Sequence, residues 1–286
     1  GIVDTGLMGH LNNIKFLAAV SIATSVITMI FWSFGFLRMG TVGLVAQAFG
    51  KNDYDEIILV FIRNLILAIF IGLIIIFLKE PIIFLIEHFF KISEETHTLI
   101  NKYISIRILS APAELMIYVL VGLYLGLQKT FTSSLMIALF SFANIIISII
   151  FVIHFDLEIF GVAAGTVIAA YSTVIIFLFF SYLHLKNKLK ITITYKKIFK
   201  IKKLLNLFNI NLDIFIRTIL LTFSFLWLTY QGSKLGENYL AVNTLLIQFV
   251  MIASFFLDAY AFSTEALVGY TIGKKIKKSF LEVVAN

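Results

Sequence analysis

The chain has 286 residues, of which 60% are hydrophobic and 14% charged, and its mean hydropathy is +1.00. This composition excludes a soluble domain, which needs more polar surface, and predicts an all-α polytopic membrane protein with spans of about 20 apolar residues. The formal net charge of +7 comes mainly from clustered lysines, which we interpret as signals for orientation and lipid contact rather than for nucleic-acid binding.

Eight apolar spans are predicted in chain order, beginning with the outer end of span 1 at residues 1–8. Span 2, at 16–49, would be about 51 Å long, which exceeds a hydrocarbon core of ~30 Å, so it should tilt, bend or project. Pro112 predicts a kink in span 4, and Pro81 to Lys91 reads as an interfacial connection. The remaining spans are predicted at 57–78, 99–127, 131–153, 159–183, 204–231 and 239–272.

A weak internal repeat aligns span 2 with span 8 at a shift of 223 residues. Gly50 and Lys51 fall on Gly273 and Lys274, and eight identities lie between residues 9 and 51. A repeat of this length is typical of transporters built from two similar halves. Residue 1 aligns with residue 224, which lies inside span 7, so we expect the chain to lack the start of span 1. A complete second half would extend well beyond residue 286, so we expect the chain to be truncated at its end as well.

Eight lysines lie between spans 6 and 7 in a basic segment that begins at Lys186 and ends at Lys203. Interleaved apolar residues predict that it lies on anionic membrane lipid. We therefore divide the chain into an N-terminal bundle at 1–184, a basic connection at 185–203 and the start of a C-terminal bundle at 204–286. Fourteen lysines follow even-numbered spans and five lie on the opposite side, so the positive-inside rule predicts cytoplasmic even-numbered exits in the inner membrane.

Several charged residues lie within the predicted spans, where such residues are commonly functional. Asp4, about 6 Å from the outer end of span 1, would lose hydration and become able to bind and release a proton, or else stay ionised at the interface. Asp258 and Glu265 are seven residues apart on one helix face and are expected to face a central cavity, where they either bind a cation or pair with other residues. Asp213 and Arg217, four residues apart, predict a structural ion pair.

Two further charged residues each allow two interpretations. Arg38 is either a cavity cation or an arginine that reaches the cytoplasmic surface or pairs with a bundle acid, and we favour the second. Glu114 either lines the cavity or satisfies backbone groups freed at the Pro112 kink, and we slightly favour the second. The sequence has no phosphate-binding glycine loop, histidine pair at metal spacing or nucleophile elbow, so we expect neither an enzyme nor a metal site.

Several long motifs resemble the DinF-like branch of the multidrug and toxic compound extrusion (MATE) family. They are FLRMGTVGLVAQAFG at 36–50, APA at 111–113, GVAAGT at 161–166, LDIFIRT at 212–218 and FLDAYAFSTEALVGYTIG at 256–273. The resemblance covers the whole chain. It implies a twelve-helix fold when complete, with two six-helix bundles around a cavity that opens alternately to each side of the membrane.

The resemblance also implies a function. Relatives export organic, often cationic, compounds against an inward flow of protons or sodium, and we expect proton coupling here with no other cofactor. The proton-responsive acid of DinF-like relatives matches Asp4, and its polar neighbours match Asn144 and Thr166. The acid that such relatives carry near this site is replaced by Ser148, so Asp4 would act with hydroxyl and amide partners. We expect a monomer that binds small organic substrates.

Two other functions remain open at this stage. A lipid-linked saccharide flippase of related two-bundle design would have a strongly cationic cavity, whereas spans 7 and 8 contribute Asp258 and Glu265. A membrane-embedded enzyme or a non-transport subunit would carry clustered polar catalytic residues at one depth, and no such cluster is evident in the sequence.

Overall fold

The computed structural model describes residues 14–89, 94–188, 195–235, 237–275 and 277–285, and within these ranges the backbone is helical with no strand. Short 3-10 turns occur at Ile108–Ser110 and Lys186–Lys188, and a π-helical turn at Ile150–His154. The helices are α1 Ile14–Ser33, α2 Phe36–Gly50, α3 Tyr54–Phe77, α4 Lys79–Phe89, α5 Glu94–Arg107, α6 Ala111–Gly126, α7 Thr130–Ile149, α8 Glu158–Leu185, α9 Tyr195–Ile198, α10 Ile201–Leu235, α11 Glu237–Lys274 and α12 Lys277–Ala285.

Six helical stretches among the described residues are long and apolar enough to cross a membrane. Their outer faces carry large apolar side chains, such as Phe77 and Phe131, which are 83% and 79% exposed. Such exposure suits lipid and not water. The predicted all-α, multi-pass membrane fold is confirmed. The six stretches are Phe16–Gly50, Tyr54–Phe77, Glu94–Gly126, Thr130–His154, Glu158–Leu185 and Ile201–Ser224.

Span 2, which was predicted to tilt, bend or project, is interrupted at the junction between α1 and α2. The amide of Phe34 donates to the Phe31 carbonyl, and that of Gly35 to the Trp32 carbonyl, each at 3.0 Å. These tighter bonds to the third preceding residue replace the α-helical pattern over one turn. The ring of Phe215 from α10 lies 6.2 Å from the ring of Phe34, so this junction packs against the second predicted half.

Span 4 is interrupted where Pro112 predicts a kink. The 3-10 turn Ile108–Ser110 separates α5 from α6, and Pro112 lies in the first turn of α6, where its missing N–H would have had no intrahelical partner. The connection predicted at 81–91 is largely helical. Helix α4 covers Lys79–Phe89, and Pro81 lies in its first turn, where proline does not break a helix.

Helix α2 lies at the centre of the packing, against α3, α6, α10 and α11. At its end, an ideal Cβ on Gly50 would be 2.1 Å from the Tyr270 carbonyl oxygen, and one on Gly273 would be 2.2 Å from the Gln47 carbonyl oxygen. The 223-residue shift carries Gln47 onto Tyr270 and Gly50 onto Gly273. The aligned segments therefore contact each other reciprocally, as two halves related by a local two-fold axis would.

Candidate functional site

Two neighbouring cavities lie where α1, α2, α6 and α7 approach α10 and α11. Their volumes are about 510 Å³ and 410 Å³, and both are lined by Arg38, Tyr118 and Phe262. A third cavity, of about 880 Å³, lies between the starts of α1, α5 and α8, and none of the predicted site residues lines it. We refer to the pair of cavities that share Arg38 as the central cavity.

Arg38 projects from α2 into the central cavity. Its guanidinium carbon lies 3.8 Å from the centre of the Phe262 ring, a cation–π contact. Its Nη1 atom is buried without a hydrogen-bond partner among the described residues, and the guanidinium interacts electrostatically with Glu265 and Asp258. Arg38 therefore faces the central cavity and does not extend to the surface. The bundle acids of the favoured interpretation are its electrostatic neighbours, although no ion pair joins them to Arg38 among the described residues.

The two acids of α11 occupy different places around Arg38. Asp258 lines the smaller cavity together with Arg217 of α10. Glu265, two turns further along α11, is half-buried and close enough to interact with Arg38, although it does not line either cavity. The seven-residue spacing thus places both carboxylates on the side of α11 that faces the first half of the chain.

Glu114 both lines the larger cavity and joins the two parts of span 4. Its carboxylate forms an ion pair with Arg107 across the helix break, and its Oε1 atom accepts a hydrogen bond from Ser110 Oγ at 2.9 Å. Arg107 also lies over the ring of Phe31, with 5.5 Å between the guanidinium carbon and the ring centre. The partners that satisfy Glu114 are therefore side chains, and not the freed backbone groups that we had favoured.

The predicted ion pair between Asp213 and Arg217 is not formed in the described part of the chain. Both side chains are exposed along α10, and no ion pair joins them. Arg217 instead extends into the smaller cavity, which also contains Asp258. A spacing of four residues permits a pair on an exposed helix face but does not require one, since the net gain is small.

The polar residues matched to the proton site lie together between α7 and α8. Asn144 Nδ2 donates to Thr166 Oγ1 at 2.6 Å, and Thr166 Oγ1 donates to the Val162 carbonyl at 3.1 Å. Ser148, one turn beyond Asn144, is buried, and its hydroxyl has no partner among the described residues. Asp4 lies outside the described residues, so the structure does not describe its position relative to this group.

Part of the basic segment is hydrogen-bonded to α3, a contact that the sequence did not predict. Arg63 of α3 donates from Nη2 to the Lys197 carbonyl at 2.8 Å and from Nε to the Ile198 carbonyl at 2.9 Å. Glu56, two turns before Arg63, pairs with Arg63 at 3.3 Å and with Lys203 at 2.9 Å. The only available signal was the spacing of Glu56 and Arg63 on one face of an otherwise apolar helix.

Comparisons with known proteins agree with this architecture. A family model described as MatE matches residues 1–152. The chain is 32% identical over 286 residues to DNA damage-inducible protein F of Escherichia coli K12, covering 99% of this chain and 61% of that protein. It is 25% identical over 254 residues to the multidrug export protein MepA of Staphylococcus aureus NCTC 8325, covering 87% of this chain and 55% of that protein.

A solved structure described as the outward-facing conformation of a multidrug resistance MATE family transporter of the MOP superfamily has the same fold. It matches with a TM-score of 0.82 and 20% sequence identity, over 99% of this chain and 63% of that chain. The chain thus spans between 55% and 61% of the length of the two curated relatives.

Proposed function

The chain belongs to the MATE family, as its motifs predict, and from this premise we propose that it exports organic, often cationic, compounds in exchange for a cation. Its relatives are transporters, so the prediction that it is not an enzyme is confirmed. The observation that carries the proposal is the central cavity, whose walls come from both predicted halves of the chain. A substrate bound there would contact both halves, so its affinity would change when the two halves move relative to each other.

The lining of the central cavity supports an organic cation as the substrate. Tyr118 and Phe262 offer aromatic surface, and Glu114 and Asp258 add negative charge. Arg38 and Arg217 also line the central cavity, and Arg38 interacts electrostatically with Asp258, so part of that negative charge is offset. The cavity is therefore mixed in charge, whereas the flippase alternative would need a strongly cationic one.

We further propose that inward proton flow drives export through Asp4. Protonation removes the charge of an acid and changes which hydrogen bonds it makes, so it can shift a bundle between two packings. The Asn144–Thr166 pair and the Ser148 hydroxyl are polar groups that such a switch would need nearby. The predicted orientation, with the lysine-rich end in the cytoplasm of an inner membrane, would let protons enter from the side of Asp4.

The experiment that tests the proposal is efflux of a fluorescent cationic dye from vesicles containing the protein. Wild type is compared with Asp4→Asn and with a control, Asp156→Asn, which removes an exposed acid in the loop before α8. A pH gradient should drive efflux by wild type and by the control, and Asp4→Asn should abolish it at equal protein levels. Full activity of Asp4→Asn would show that Asp4 is not the coupling residue. If only a sodium gradient drives efflux, sodium is the coupling ion and the proposal of proton coupling is wrong.

A further inference from the structure

A basic cluster surrounds His184 near the end of α8, at the lysine-rich end of the bundle. Lys129 lies in the tight turn between α6 and α7, and its Nζ is 3.2 Å from His184 Nδ1. Lys188 ends the 3-10 turn after α8, and its Nζ is 3.5 Å from His184 Nε2. All three side chains are half-buried, so the lysines do not extend freely into solvent. We call these three residues the His184 cluster.

The His184 cluster has more hydrogen-bond donors than acceptors. A lysine ammonium only donates, and a neutral imidazole has a single acceptor nitrogen. His184 can therefore accept from only one of the two lysines that face its ring nitrogens, and from neither when it is protonated. The hydroxyl of Tyr54, 3.5 Å from Lys188 Nζ, offers one more long contact, and the Tyr54 ring centre lies 4.6 Å from the same atom.

No carboxylate of the described residues forms an ion pair with Lys129 or Lys188. Glu56, two residues after Tyr54 in α3, already pairs with Arg63 and Lys203. Burial lowers the pKa of Lys129, and the charge of Lys188 lowers it further. The cluster is thus a partly buried positive site with no carboxylate partner among the described residues.

We propose that the His184 cluster binds a phosphate group and that the headgroup of an anionic phospholipid supplies it. Phosphate oxygens accept charge-assisted hydrogen bonds from both ammonium groups, which removes the excess of donors. One turn before His184, on the same face of α8, Phe180 is 53% exposed, and its ring offers apolar surface to the acyl chains. The proposal does not depend on which compound the protein exports.

A phosphate at this place would join three parts of the fold. Lys129 precedes α7, Lys188 follows α8, and Tyr54 begins α3. Each segment reaches the cluster through one side chain, so a single bound headgroup would hold three helix ends together beside the basic segment. The site is distinct from the Arg63 contacts, which use backbone carbonyls of the same segment.

Lipid retention tests the proposal in nanodiscs of phosphatidylcholine doped with phosphatidylglycerol. Native mass spectrometry counts the phosphatidylglycerol retained by wild type, by Lys129→Gln/Lys188→Gln, and by the control Lys200→Gln/Lys202→Gln. The control removes the same charge from exposed positions of the same basic connection. We expect the cluster variant to lose one retained lipid and about tenfold or more in apparent affinity, while the control keeps both. Equal loss in the two variants, or no loss in the cluster variant, would overturn the proposal.

A second measurement uses the unmodified protein and separates the two sources of phosphate. Photoreactive phosphatidylglycerol should give adducts at 182–188 and at Lys129. In a parallel arm, inorganic phosphate is titrated into protein in pure phosphatidylcholine nanodiscs and followed by phosphorus NMR. Saturable phosphate binding without lipid adducts would assign the site to a soluble phosphate compound and overturn the lipid source. Absence of both signals would overturn the site itself.

Discussion

The reciprocal contact between α2 and α11 predicts that Gly273→Ala destabilises the protein. A Cβ added at Gly273 would lie 2.2 Å from the carbonyl oxygen of Gln47 and 3.0 Å from its carbonyl carbon. The obstacle is helix backbone, which cannot rotate aside as a side chain can, so the two helices would have to separate by about 1 Å to restore ordinary contact. Overpacking of this kind costs about 1–3 kcal/mol.

Gly43→Ala is the matched control, because it adds the same methyl group to α2 where nothing lies within 4 Å. There the substitution should stabilise the helix by up to about 1 kcal/mol. Apparent unfolding temperatures in detergent measure the difference, at about 2–4 °C per kcal/mol for a chain of this size. The two variants should shift in opposite directions. If Gly273→Ala unfolds at or above the temperature of Gly43→Ala, the close helix contact is refuted.

Three further predictions concern charged groups. Glu114→Ala removes the carboxylate that pairs with Arg107 across the break in span 4, and we expect a loss of about 3 kcal/mol in the free energy of unfolding, measured as a lower unfolding temperature. Arg63→Ala frees two carbonyls of the basic segment, so trypsin should cut within 195–203 about tenfold faster or more. The pKa of Lys129 is lowered, so the folded protein binds fewer protons than the unfolded chain between that pKa and the ordinary value of 10.5. The free energy of unfolding should therefore rise with pH across this window. Lys188→Gln should raise the pKa of Lys129 and reduce this rise. Carbon NMR of methylated lysines measures the pKa, and unfolding temperatures measure the change in stability.

Each of these predictions has a control of matched charge. Glu282→Ala removes an exposed acid of α12 and should leave the unfolding temperature unchanged. Lys202→Ala removes a basic side chain of the connection without removing the Arg63 contacts, so the rate of cleavage elsewhere in 195–203 should stay near that of wild type. Lys102→Gln removes a lysine that lines the cavity between the starts of α1, α5 and α8, and it should not alter the titration of Lys129. A control that matched its test variant would contradict the corresponding contact.

The apolar pattern predicts most of the helices because a backbone within lipid must satisfy its own hydrogen bonds. The break at Pro112 was predictable for a related reason, since proline removes a helical donor. The helix around Pro81 was not predicted, because proline also occurs in the first turn of a helix and the sequence does not say on which side of a proline the helix lies. Helix existence was thus easier to predict than helix boundaries.

The charged residues were harder to predict because their partners lie far away in the chain. The functional reading of Arg38 depends on Phe262, Glu265 and Asp258, which are more than 200 residues away. Arg63 binds backbone carbonyls, and a carbonyl carries no sequence signal. The local spacing of Asp213 and Arg217 suggested an ion pair that the fold does not form.

The reciprocal contact of Gln47 and Gly50 with Tyr270 and Gly273 has a consequence for how such a chain could arise. Because aligned residues exchange partners, two copies of one half could form the contact in a symmetric dimer. In such a dimer, the two-fold axis repeats every substitution, so a single mutation to glycine would remove the steric obstacle at both close helix contacts. Duplication and fusion of one gene would then inherit a working interface, and the two glycines would be copies of one ancestral substitution.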